Sequence, residues 1–312
     1  MPELFTLTRP QGANQALIRG EVAPAGHSLR FADEPVLVKG FRKMVRGLEY
    51  DVAELAVTTY LTAKEHGAAF TALPIFLVRG FHHGATQVLR GGRPIASSKD
   101  LAGGRVGVNR GYTVTTGVWG RAILASEHGL DLDSVTWVCS GDEHVETYVP
   151  PRNVVRAPEG STLTELLLAG QLDAVVGADI DHPDVVPLVA DPDEAGFAAL
   201  RDRGLYPVNH LVVVKDELLQ ERPDLAVALF EAFAGAKRRY VDRIRAGEER
   251  TRQDRMLARV LQETGADPLP YGVEPNRAVL EELMRHAHDQ HILEKPTTLE
   301  RIFEPSTLGL VG

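Results

Sequence analysis

Apolar, strand-like runs alternate with amphipathic helical segments along most of this 312-residue chain. That alternation points to the α/β class with mostly parallel sheets. The runs predict strands over 50–55, 73–78, 105–108, 134–138, 172–176 and 209–214. Helical spacing between them predicts helices over 38–47, 57–66, 115–128, 162–168, 222–246 and 274–289. The last has Pro275 in its first turn, where proline is tolerated. Two segments interrupt the pattern: Arg90-Gly91-Gly92-Arg93-Pro94, and 191–207, which is rich in Asp, Gly and Pro. Chain crossings at both points predict a discontinuous first lobe, 1–90 plus 207–312, and a second lobe, 91–206, of ordinary domain size. Two lobes joined in this way are expected to leave a cleft, and α/β proteins bind small molecules in clefts and at strand C-terminal ends.

Composition narrows the function classes. A net charge of −9 argues against a general nucleic-acid binder, which needs a basic face. The basic residues of 237–239 and 250–255 are interspersed with acids and suit solvated helix faces. With 44% hydrophobic and 25% charged residues and no apolar run near 18 residues, no membrane span is expected. The single cysteine, Cys139, allows neither an internal disulfide nor a CxxC motif and fits a small core residue. The start Met1-Pro2-Glu3-Leu4-Phe5 carries no basic stretch followed by an apolar core, so a cytoplasmic location is the expectation. The composition is equally compatible with a homo-oligomer.

Five groups at expected strand ends point to chemistry. Glu54 ends one strand and is followed by Thr58, which either faces a ligand or caps the next helix. Arg79, Phe81, His82 and His83 follow the next strand, and histidine titrates nearest to neutrality, so a cation beside two histidines suits anion binding with proton transfer. On spacing alone, two solvated loop histidines fit as well. Asn109, Arg110, Tyr112, Thr113 and Thr115 form a polar loop before a helix, where backbone N–H groups attract carboxylates. It lacks the glycine spacing of a nucleotide loop. Asp179, Asp181 and His182 end another strand, and Asn209-His210 open the last. The histidines with Glu54, Asp179 and Asp181 are ligand types suited to Zn, Fe or Mn, but no HxH or HExxH spacing supports a site. His286, His288 and His291 fit surface positions on a helix or its end. No GxSxG elbow or cysteine nucleophile is present, which argues against Ser/Cys hydrolase chemistry.

Two segments, 98–108 (SKDLAGGRVGV) and 170–177 (GQLDAVVG), resemble segments of the type II periplasmic-binding-protein fold. More narrowly, the chain is similar to the 4,5-dihydroxyphthalate decarboxylase family. The matching segments are colinear: YDVAE at 50–54, ALPIF at 72–76, RGFHH at 79–83, VWGR at 118–121, VTW at 135–137, LYPVNH at 205–210 and YGVEPNR at 271–277. Carried over by position, the resemblance implies roles for Glu54, Arg79, Phe81, His83 and His210. It departs at His82 and at Asp179, where the family carries arginines, and Arg110 is only a partial replacement. The resemblance implies a two-lobed α/β fold and a decarboxylase of a hydroxylated aromatic carboxylate. His83 or His210 would donate the proton, and Glu54 would set a histidine tautomer or take a phenolic proton. Arg79 and the loop amides would hold oxygens. No organic cofactor is required, and a divalent metal stays open. The alternative, from another class, is a cytoplasmic solute-binding protein without chemistry.

Overall fold

A computed structural model describes residues 3–312; Met1 and Pro2, part of the N-terminal stretch considered above, lie outside them. The chain divides into two compact units, one of 1–79, 208–281 and 297–312, the other of 80–207 and 282–296. The first boundary therefore falls after Arg79, not after residue 90. The reason is the strand Thr86–Leu89, which pairs antiparallel with two strands of the second unit. Residues 282–296, expected with the terminal segments, also group with the second unit.

In the first unit, β1 (Glu3–Leu7), β2 (Ser28–Phe31), β3 (Val52–Ala56), β4 (Phe70–Arg79) and β11 (Val208–Lys215) form a sheet in the order β2-β1-β3-β11-β4. β1 runs parallel to β2 and β3, whereas β11 is antiparallel to both its neighbours, so the sheet is mixed where a mostly parallel one was expected. All five residues of β3 are buried, as a strand with neighbours on both sides and helices on its faces requires. The helix Leu225–Arg245 buries Leu225, Leu229, Phe233, Ala236 and Tyr240, an apolar stripe at helical spacing. The helix Arg252–Thr264 was not expected as a separate element. Its charged start is a cap: Thr251 accepts from the Asp254 backbone N–H, and the Asp254 carboxylate accepts from the Thr251 N–H in return.

The second unit contains β5 (Thr86–Leu89), β6 (Arg105–Val108), β7 (Thr136–Cys139), β8 (Val154–Arg156), β9 (Ala174–Val176) and β10 (Val185–Pro187), in the order β10-β5-β9-β6-β7-β8. The pairs from β9 to β8 are parallel, and β5 and β10 add an antiparallel edge. Val138, Leu163, Leu166, Leu167, Leu172 and Val175 are part of a core cluster against one face. Segment 191–207, read from sequence as a crossing zone, contains the helix Pro192–Arg203. Its proline sits in the first turn, its Asp193 and Glu194 face the positive helix end, and Gly204 closes it at φ +66°. Pro and Gly here are the two ends of a helix, not its absence. Cys139 is buried in β7, and burial pushes its thiol up to about 12.

Candidate functional site

Glu54 and His210 come together in the first unit. Across the antiparallel β3–β11 pair, Glu54 lies opposite Val212 and His210 opposite Ala56, so the two side chains are diagonal neighbours on one face. The β11–β4 register shifts on both sides of His210, an irregularity that re-aims side chains at functional strand ends. His210 Nδ1 lies 2.6 Å from Glu54 Oε1. A carboxylate there accepts the Nδ1–H, which leaves Nε2 as the nitrogen able to exchange a proton. The other oxygen, Oε2, accepts from Thr8 Oγ1 at 2.7 Å and from the Arg9 backbone N–H at 3.2 Å. Asn14 Nδ2 in turn donates to Thr8 Oγ1 and to the Arg9 carbonyl.

Glu54 is 1% exposed. Burial pushes its carboxyl up, but the His210 bond and charge, the Thr8 hydroxyl and the Arg9 guanidinium outweigh it and hold it below the usual carboxylate range. His210 keeps 17% of its side chain exposed and meets the Phe41 ring edge-on at 5.3 Å. Together they form a fixed carboxylate backing a partly accessible imidazole, the arrangement of a general acid–base.

The other expected residues of this unit have different surroundings. Arg79 ends β4, is buried, and donates through Nη1 to Asn276 Oδ1 at 2.7 Å; Asn276 is itself tied to the Pro270 and Gly272 carbonyls. Thr58 is fully buried inside the helix Val57–Glu65, whose N-cap is Ala56, so it does not cap that helix.

In the second unit His83 is 1% exposed, and its Nε2 lies 3.1 and 3.3 Å from the two oxygens of Glu127. Arg203 also bonds that carboxylate. Burial raises the Glu127 carboxyl, and His83 and Arg203 more than reverse the effect. Among the described residues, the buried His83 Nδ1 has no hydrogen-bond partner. Phe81 packs on Phe197 at 4.8 Å and Tyr206 at 5.1 Å, with the His83 ring at 6.5 Å, so it belongs to an aromatic cluster. His82 is buried next to it in the chain.

The polar loop does bind a carboxylate, but one of the protein's own. Glu143 accepts from the Tyr112 and Thr113 backbone N–H groups and, at 2.6 Å, from Thr113 Oγ1. Arg121 stacks on the Tyr112 ring at 3.8 Å and bonds its carbonyl. Asn109 donates to the Gly177 carbonyl, Arg110 is exposed at φ +68°, and Thr115 is buried. Asp179 and Asp181 are exposed, and no group of three or more His, Cys, Asp or Glu that could hold a metal occurs among the described residues. His286, expected on the surface, is buried against Trp119, 6.0 Å between ring centroids; His291 is exposed.

Sequence reasoning missed Thr8, Arg9, Glu127, Glu143, Arg203 and Asn276. Glu127 closes a predicted helix, and nothing local marks it as the partner of a histidine 44 positions away.

No family model matches the chain. Among solved structures it resembles the periplasmic aliphatic sulphonate binding protein SsuA from Escherichia coli, with TM-score 0.55 and 11% identity over 97% of this chain and 92% of the other. It also resembles the desulfurization enzyme DSZB, with TM-score 0.53 and 17% identity over 99% and 98%. These likenesses define the class by its fold, that of the periplasmic binding proteins, on which one neighbour is a binding protein and the other an enzyme. Sequence separates the two. A 4,5-dihydroxyphthalate decarboxylase from Comamonas testosteroni is 30% identical over 86% of each chain. One from Pseudomonas putida is 37% identical over 50% of this chain and 65% of its own length. The chain belongs to the 4,5-dihydroxyphthalate decarboxylase family, and with it to the decarboxylases rather than the binding proteins built on this fold. Among the described residues, no helix is long and apolar enough to cross a membrane.

Proposed function

We propose that the protein removes CO₂ non-oxidatively from a hydroxylated aromatic carboxylate, with His210 as the proton donor and Glu54 as the group that orients it. The supporting observation is the 2.6 Å Glu54–His210 bond, which fixes the imidazole by one nitrogen and leaves the other to act. In the step itself, protonated His210 gives its proton to the ring carbon bearing the carboxylate, assisted by electron density from a ring hydroxyl. The carbon–carbon bond to the carboxylate then breaks, its electron pair restores the aromatic ring, and CO₂ leaves. His210 regains a proton from solvent, for which its partial exposure supplies a route. Glu54 stays ionised throughout and holds the imidazole by Nδ1 while Nε2 faces the substrate.

His83 supplies the same residue type, but it is sealed from solvent and its Nε2 is held by Glu127, so in this reading it organises the second unit. The scheme as written calls on no organic cofactor. Departures from the family pattern at His82 and Asp179 favour a hydroxylated aromatic carboxylate as the substrate class over dihydroxyphthalate in particular. The test is CO₂ release from a panel of hydroxylated benzoates and phthalates in deuterated buffer. One member is expected to lose CO₂ and to carry deuterium at the vacated ring carbon; no release from any member sinks the reading.

A further inference from the structure

The residues that leave β1 wall a cavity of about 330 Å³ in the first unit, together with Leu77 of β4, Tyr240, Leu257 and Leu269. That volume lies in the range of small-molecule sites and accommodates a single substituted ring. The close approach that shapes it depends on Gly12, because a Cβ there would collide with the Tyr240 ring.

One charged side chain in this mixed lining is chemically incomplete. Arg9 has its side chain 49% exposed, and among the described residues its guanidinium reaches only Glu54, through Nε at 3.8 Å, too far for a hydrogen bond. A guanidinium fork matches a carboxylate's two oxygens. The cavity is also tied to the acid–base pair: the Arg9 backbone N–H bonds Glu54 Oε2, and Asn14 holds the Arg9 carbonyl.

We propose that this cavity takes a carboxylate of the aromatic substrate, gripped by the Arg9 guanidinium, which lies against both the cavity and Glu54. The proposal rests on the decarboxylase reading of Glu54 and His210.

Phthalate, benzoate and uncharged benzamide serve as probes, their binding followed by calorimetry on full-length protein carrying His210→Ala, which prevents turnover. Adding Arg9→Gln is expected to weaken phthalate and benzoate by about 10- to 100-fold, the worth of a charged hydrogen-bonded contact, and to leave benzamide unchanged. Arg9→Lys, which keeps the charge but loses the fork, is expected to fall between. Phthalate and benzoate affinities within twofold of the parent in Arg9→Gln overturn the proposal, as does an equal loss of benzamide or no binding of either acid by the parent. The two readings fail separately. Arg9-dependent phthalate binding without CO₂ release from any panel member removes the decarboxylase reading and keeps the site. CO₂ release with unchanged KM in Arg9→Gln removes the site and keeps the decarboxylase.

Discussion

His210 and His83 each pair with a glutamate, yet the two pairs are built to different ends. In the first unit the carboxylate is the sealed member: Glu54 is 1% exposed and takes three donors, while His210 retains 17% exposure. In the second unit the order is inverted. His83 is sealed at 1%, and Glu127 faces partly outward with Arg203 as a second partner. A buried carboxylate behind a reachable imidazole sets up a proton donor, whereas a buried imidazole behind a reachable carboxylate makes a bracket. Residue type alone does not separate these roles; which partner is desolvated does.

The largest expected effect is on turnover. His210→Ala should lower kcat by about 10²- to 10⁴-fold, the usual worth of a positioned acid. His83→Ala should cost less than about tenfold in kcat while destabilising the fold by about 1–3 kcal/mol, since it strips a partner from Glu127 and opens a cavity. Rates and melting curves of the two variants measured side by side decide between the pairs; a kcat loss larger for His83→Ala would move the chemistry to the second unit.

Next in size is Glu54→Gln. The amide keeps the shape but not the negative charge that faces the imidazole, so kcat is expected to fall about 100-fold at neutral pH with little change in KM. An unchanged kcat would reduce Glu54 to a structural role.

The smallest effect lies in acid stability. Both glutamates are held below their ordinary value, so unfolding takes up protons between the folded value and the unfolded one near 4.3. Their contribution is complete above about pH 4.3 and is lost as the pH falls through the folded values. Melting temperature followed over roughly pH 3 to 7 should decline on the acid side in the parent. Glu54→Gln should flatten the decline more than Glu127→Gln, because Glu127 is more exposed and better screened. Equal slopes would remove the contrast in burial.

Much of this architecture was legible in the chain. Strand and helix periods are local, so β3, β4, β6, β7, β9 and β11 fell where apolar runs predicted them. Glu54 and His210 were visible as polar residues in or beside such runs. Short strands such as β2, β8 and β10 were not, because a few residues carry no period. Pro192 and Gly204 misled, since either residue punctuates a loop or bounds a helix according to what lies between.

Pairing is where local reading ends. Glu54 and His210 are 156 positions apart, and they meet because β11 inserts antiparallel beside β3 in one register, bulged around His210. A slip of one residue would send either side chain to the opposite face. Glu143 on the Tyr112 and Thr113 amides and Arg9 in the cavity likewise depend on chain segments brought together only by folding. Sequence carries the chemistry and the local shape because both are properties of neighbouring residues. Partners, burial and hence protonation depend on contacts between distant segments, and these exist only in the packed molecule.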